Sequence, residues 1–235
     1  MTKTLGLLKY HILVLLRDPL NLFFGLALPV LILIMIPSVN SIVIPLNIMI
    51  TAMVLCFTDS ALSHGYARQI KFLRRLRMTP VSSKDYIITG MLSRYIVLIT
   101  FATALILFAG LVLNIEGVLV NRNWLLFFAM LTLVFAMFYP IGMFVANALK
   151  SAKGSQSLVY IVFFGLLVLG GVWFPVALMP QLLQNVHSVL PIAYGGQLLT
   201  NVWQGESILQ GHYLITTAAV AALFSLLSIK FFKFE

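Results

Sequence analysis

The sequence is short of charge, and of acidic residues above all. Lys, Arg, Asp and Glu make up 9% of its 235 residues, and Asp and Glu number six. A soluble globular domain carries roughly 25% charged residues. Cysteine is nearly absent too: Cys56 stands alone, which excludes a disulfide scaffold. No G-x-x-x-x-G-K-[ST] phosphate loop occurs, since Lys153-Gly154-Ser155 has the letters in the wrong arrangement. The four histidines, His11, His64, His187 and His212, are scattered, and no two acids lie close in sequence. Metal chemistry and paired-carboxylate chemistry therefore have no visible foothold. What the chain does have is apolar surface: 61% hydrophobic residues and a mean hydropathy of +1.06. A soluble fold of this size has no interior large enough for it, and disorder is excluded for the same reason. The composition is that of an integral membrane protein. The net charge of +9 then reads as a set of topology markers rather than as a nucleic-acid surface.

A hydrocarbon core about 30 Å thick needs about 20 apolar residues per helix. The charges divide the chain on that scale. Uncharged runs of 40, 21, 27, 52 and 23 residues separate Asp18 from Asp59, Arg94 from Glu116, Arg122 from Lys150, Lys153 from Glu206, and Glu206 from Lys230. The first is long enough for two spans and a turn near Pro37 and Pro45. The fourth is too long for one span, and Gly170, Gly171, Pro175, Pro180 and Pro191 interrupt it, which favours one span and a re-entrant hairpin. Six spans with a cytoplasmic N-terminus put 14 of the 15 Lys and Arg residues inside, leaving Arg122 outside, in keeping with the positive-inside bias. Spans are expected over 20–37, 42–62, 86–113, 124–148, 157–173 and 212–229, in one transmembrane domain over 1–235. Trp124, Trp173 and Trp203 then fall at the outer surface, where tryptophan is favoured. No signal peptide is expected, because the first apolar block is too long for one.

Three other segments stand out. Residues 1–18 predict an amphipathic interface helix, with Leu5, Leu8, Ile12, Leu15 and Leu16 on one face and Lys3, Gly6, Lys9, Tyr10 and Arg17 opposite. Residues 66–78 predict a short basic helix, with Arg68, Lys71, Arg74 and Arg75 on one arc and Phe72 on the apolar arc. Arg77 falls awkwardly among the apolar residues, and Thr79-Pro80 ends the helix. Attraction to anionic lipid explains such a helix as well as protein docking does. The uncharged stretch 174–200 predicts the re-entrant hairpin, either a structural plug or part of a transport path.

Two runs carry a resemblance. Arg74-Arg75-Leu76-Arg77-Met78-Thr79-Pro80-Val81-Ser82, followed by Tyr86 and Gly90, resembles the loop before the third span of type-2 ATP-binding-cassette (ABC) exporter permeases. Gly171-Val172-Trp173-Phe174-Pro175, Met179-Pro180 and Leu190-Pro191-Ile192-Ala193-Tyr194 are similar to that family's element before the last span. One departure is Tyr66-Ala67-Arg68-Gln69, where family members often carry acids. The resemblance implies an all-α, six-span half-transporter in the cell membrane, with both termini cytoplasmic. It implies no cofactor and no catalytic or metal site in this chain, ATP being bound by a separate ABC ATPase subunit present in two copies. A second permease, identical or not, completes the path for a hydrophobic or amphipathic cargo such as a drug, an antimicrobial peptide or a lipid-linked glycan. Arg68, Lys71, Phe72, Arg74, Arg75, Arg77, Thr79 and Pro80 would rest on the ATPase. Trp173, Phe174, Pro175, Pro180, Pro191 and Tyr194 would form the external gate.

Two rival classes make different demands. An ion-coupled transporter needs an ionisable group deep in the bilayer. Asp59 is the one candidate, and its plainer role is to pair with a cation such as Arg94 or Arg17. A membrane-embedded lipid-modifying enzyme needs a cluster of ligands or acids that the sequence does not supply. Cys56, mid-span and alone, fits packing better than nucleophilic work. Gly142 and Ala146 form a small-x-x-x-small pair that permits close helix approach.

Overall fold

The computed structural model describes residues 2–35, 41–70, 83–115, 117–119, 122–148, 152–171, 176–207 and 212–230. Among them every regular element is helical. Helix α1 is Thr2–Arg17, and α2 runs over Pro19–Met35 with a π-helical turn at Phe23–Ala27. Helix α3 joins Val43–Ala52, a π-helical Met53–Thr58 and Asp59–Gln69. Helix α4 is Ser83–Leu107 continued by a π-helical Phe108–Val112; α5 is Trp124–Ala148 and α6 is Ala152–Leu169. A 3₁₀ turn at Val176–Leu178 leads to the short α7 (Gln181–His187), then α8 (Pro191–Gln204) and α9 (Tyr213–Lys230).

Local chemistry accounts for the main breaks. The Asp18 carboxylate accepts the Leu20 N–H at 2.9 Å, and Pro19 fills the first helical position, where its missing N–H is not needed. The chain therefore restarts as α2 at 72° to α1. Gly171 takes a left-handed φ of +73° just beyond α6, and Gly205 caps α8 at φ +78°.

Three helical stretches are long and apolar enough to cross a bilayer: Val43–Ala67, Asp85–Val112 and Trp124–Ala146. The α1–α2 pair would count as a fourth only if taken as one span across its 72° bend, while Gln156–Leu169 and Tyr213–Ser228 are apolar but shorter. Their surroundings differ greatly. In α3 the apolar window is 89% buried within the protein, against 39% in α4 and 50% in α5. Helix α3 is thus the central post. Helices α5 and α6 pack on it, α8 wedges against α3, α5 and α9, α9 lies along α5, and α1 lies along α4.

The wheel drawn for α1 divides differently in the fold. Leu15 is buried and Leu8 and Ile12 are half-buried, whereas Leu5 and Leu16 of the same arc are exposed, as are Leu13 and Val14. Leu7 packs against the small cluster formed by Ala67 near the end of α3 and Tyr86 near the start of α4. Part of the apolar face is spent on the bundle, not on lipid. Trp203 is 1% exposed, set edge-on to Trp124 with ring centroids 6.0 Å apart and covered by the Arg122 guanidinium at 4.5 Å.

Gly142 sets the distance between α5 and α3. A methyl group there would meet the Ser60 hydroxyl and the Phe57 carbonyl oxygen, the latter at 2.5 Å. The small-x-x-x-small pair is therefore used at least at Gly142 inside the chain, against the π-helical turn of α3. Gly142→Ala is expected to cost about 1–3 kcal/mol through this overpacking. Gly165→Ala, which meets nothing within 4 Å, leaves stability unchanged or raised. Thermal unfolding of the two variants in detergent checks the contrast.

Candidate functional site

The expected loop helix lies largely outside the described residues: Lys71, Phe72, Arg74, Arg75, Arg77, Thr79 and Pro80 are all there, and so are Trp173, Phe174 and Pro175 of the expected gate. Arg68 sits in the last turn of α3. Pro180 caps the start of α7, Pro191 occupies the first turn of α8, and Tyr194 follows on α8. The Tyr194 hydroxyl donates to the Ser188 carbonyl at 2.6 Å, and its ring lies 6.0 Å from that of His212 and 6.4 Å from that of Tyr213. His187 Nδ1 is 2.9 Å from the Leu169 carbonyl oxygen, which fastens α7 to the end of α6. The described part of the hairpin is held by these contacts to the helices that flank it.

At the other end of α5 the structure gathers a polar cluster from four elements. Asp59 opens the last section of α3, directly after its π-helical turn. Its Oδ2 lies 2.7 Å from Nη2 of Arg94 on α4, both side chains being less than a tenth exposed. Arg94 Nη1 donates to the Gly90 carbonyl at 2.8 Å, and Nη2 also donates to Ser63 Oγ. Asn21 of α2 donates from Nδ2 to Asp59 Oδ1 at 2.8 Å and to Asp18 Oδ2 at 3.2 Å. One amide group thus bridges two carboxylates. Further up α3, Thr51 Oγ1 donates at 2.8 Å to the carbonyl of Gly25, in the π-helical turn of α2. Polar side chains therefore stitch α2 to α3 at two levels. Of the two partners considered for Asp59, Arg94 is the one it takes. Cys56 is buried and unpaired.

His11 of α1 completes the cluster and was not foreseen. Its ring is 5.1 Å from that of Tyr86, and it is 8% exposed, with Nε2 buried and lacking a hydrogen-bond partner. Burial, aided by the nearby Arg94 charge, lowers its pKa from 6.5 to about 4. The signal in the sequence was its place between Leu8, Ile12 and Leu15, on the face a wheel assigns to apolar contact. Asn21 was likewise legible only as a polar residue early in an apolar run. Beside the cluster opens a pocket of about 400 Å³ between α1, α2, α3, α4 and α6. Among the described residues no three His, Cys, Asp or Glu side chains come together to hold a metal ion.

A sequence profile of the ABC-2 type transporter matches residues 2–202. The chain belongs to the ABC-2 type transporter family. None of the curated proteins is similar enough in sequence to stand as a relative. ABC-2 membrane proteins of this kind are transport permeases that partner an ABC ATPase, and this permease is accordingly a multi-pass membrane protein. In it the polar cluster joins α1 to the core, through helices that flank the loop between Gln69 and Ser83.

The linkage of His11 has a definite sign. Because its folded pKa lies below the ordinary value, stability is complete above about pH 6.5 and falls as the pH drops toward 4, where only the unfolded chain takes up the proton. At pH 5 the loss is about 2 kcal/mol. The thermal midpoint of the permease is expected to fall between pH 7.5 and 5, and His11→Phe flattens that dependence. An identical pH profile in the variant contradicts it.

Proposed function

We propose that the chain is the membrane subunit of an ATP-driven ABC exporter, two permeases and two ATPase subunits forming the working complex. Each permease crosses the membrane six times, with both termini cytoplasmic. The cargo is hydrophobic or amphipathic, a drug, an antimicrobial peptide or a lipid-linked glycan, and passes between the permeases. The family match over residues 2–202 carries the reading.

The placing of α1 supports the coupling route. Leu7 packs against Ala67 and Tyr86, close to where the basic loop leaves α3 and re-enters as α4. In this reading Arg68, Lys71, Phe72, Arg74, Arg75, Arg77, Thr79 and Pro80 rest on the ATPase. Closure of the ATPase pair around ATP displaces the loop, and α1 and α4 pass the displacement to α3 through Tyr86, Arg94 and Asp59. Trp173, Phe174, Pro175, Pro180, Pro191 and Tyr194 form the gate at the opposite end. Ion coupling through Asp59 is the weaker reading, because its two oxygens already face Arg94 and Asn21.

The test is biochemical. The tagged chain, purified from its native membrane in mild detergent, should elute with ATP hydrolysis. Replacing Arg74, Arg75 and Arg77 by Glu should leave insertion intact and remove at least nine-tenths of that hydrolysis, roughly the loss expected when three docking charges change sign. Full hydrolysis in the eluate of the triple variant would overturn the docking assignment.

A further inference from the structure

The pocket beside the cluster is lined by more negative than positive charge. Asp18 and Asp59 share the single Asn21 amide, at 3.2 Å and 2.8 Å. Among the described lining residues Arg94 is the one Lys or Arg, and it is turned to Asp59. Among the described residues, one carboxylate charge, nearest Asp18, is left uncompensated on the wall. His11 adds no positive charge to offset it near neutral pH, since burial keeps its ring unprotonated, and its buried Nε2 has no hydrogen-bond partner among the described residues. The remaining surface suits an organic cation. Tyr10, Tyr66, Tyr86 and Tyr160 present aromatic rings, and Val14, Leu20, Leu62 and Ile70 supply apolar wall. A cation over an aromatic face is favoured, the more so where water is excluded. About 400 Å³ lies within the usual range for a small-molecule site.

We infer that this pocket binds a lipophilic monocation, its charge seated against Asp18 and the tyrosines and its apolar body against α1, α2 and α3. An anion is disfavoured by the same carboxylate pair, and a neutral lipid tail leaves that charge unanswered. As a statement about the exporter's cargo this rests on the reading above; as a statement about a site it does not.

Tetraphenylphosphonium and tetraphenylborate have the same shape and opposite charge, and serve as the probes. Binding is measured to the purified chain in nanodiscs of zwitterionic lipid, without ATP or ATPase, after subtraction of empty nanodiscs. Tetraphenylphosphonium is expected to bind saturably, about tenfold more weakly in Asp18→Asn, while tetraphenylborate shows no saturable binding. Asparagine still caps α2, so the variant deletes the charge and keeps the helix start. If Asp18→Asn is not monodisperse, Tyr66→Leu at its exposed position takes its place, with an expected severalfold loss of affinity. Equal saturable binding of the two ions, or unchanged tetraphenylphosphonium affinity in the variant, overturns the site. A chain that brings down an ATPase yet binds no tetraphenylphosphonium sinks the cation site and leaves the exporter standing. Asp18-dependent binding by a chain with no ATPase does the reverse.

Discussion

A carboxylate on a helix buried on nearly every side must be neutralised where it lies, and in this protein Arg94 does so for Asp59. Taking either charge out of water alone costs several kcal/mol, so neither tolerates loss of the other. That demand dictates position: α4 must approach α3 with Arg94 level with Asp59, and α2 must start where Asn21 reaches the same carboxylate. Helix α1 then closes the cluster with a neutral ring, since burial and the Arg94 charge both disfavour a proton on His11. The N-terminal half of the permease is thus organised around one ion pair and the groups that complete its hydrogen bonds.

The π-helical turns contribute to this arrangement. Each adds residues to a helical turn and so shifts the facing of everything after it. Met53–Thr58 immediately precedes Asp59, and Phe23–Ala27 closely follows Asn21. In α3 the Cys56 and Phe57 carbonyls of this turn accept from Ser60 Oγ, on the side where Gly142 lets α5 come close. Close packing, a displaced ladder and the polar cluster therefore belong to one short stretch of the central helix.

Much of the helical character was legible, because runs without charge can only be buried in lipid or in protein. Sequence could not say which, and α3 and α4 differ in just this: similar apolar runs, one enclosed and one largely facing outward. The division of α1 was missed for a related reason. A wheel groups residues by polarity, but Leu15 and His11 face the bundle together while Leu5 does not. That Trp203 packs under Arg122 beside Trp124 was not legible either, since such a contact depends on how the helices meet. Arg94 could be named as a partner of Asp59 because a lone acid near the end of a span needs one. Asn21 showed only as a polar residue early in an apolar run, and the π-helical turns left no signal, since a register shift depends on packing between helices. The loop and hairpin motifs were visible only through resemblance; much of each lies outside the described residues, so their roles belong to the proposal.

On the proposed coupling route, a cluster that ties α1 to α3 and α4 would give an ATPase something stiff to push. The claim beneath this is that Asp59 and Arg94 are energetically a unit. A double-mutant cycle read by unfolding of the purified permease tests it most directly. Arg94→Met alone should lose about 3–5 kcal/mol by stranding the carboxylate, and adding Asp59→Asn should restore more than half of that loss. Losses that simply add, or a single variant as stable as the parent, would contradict the account.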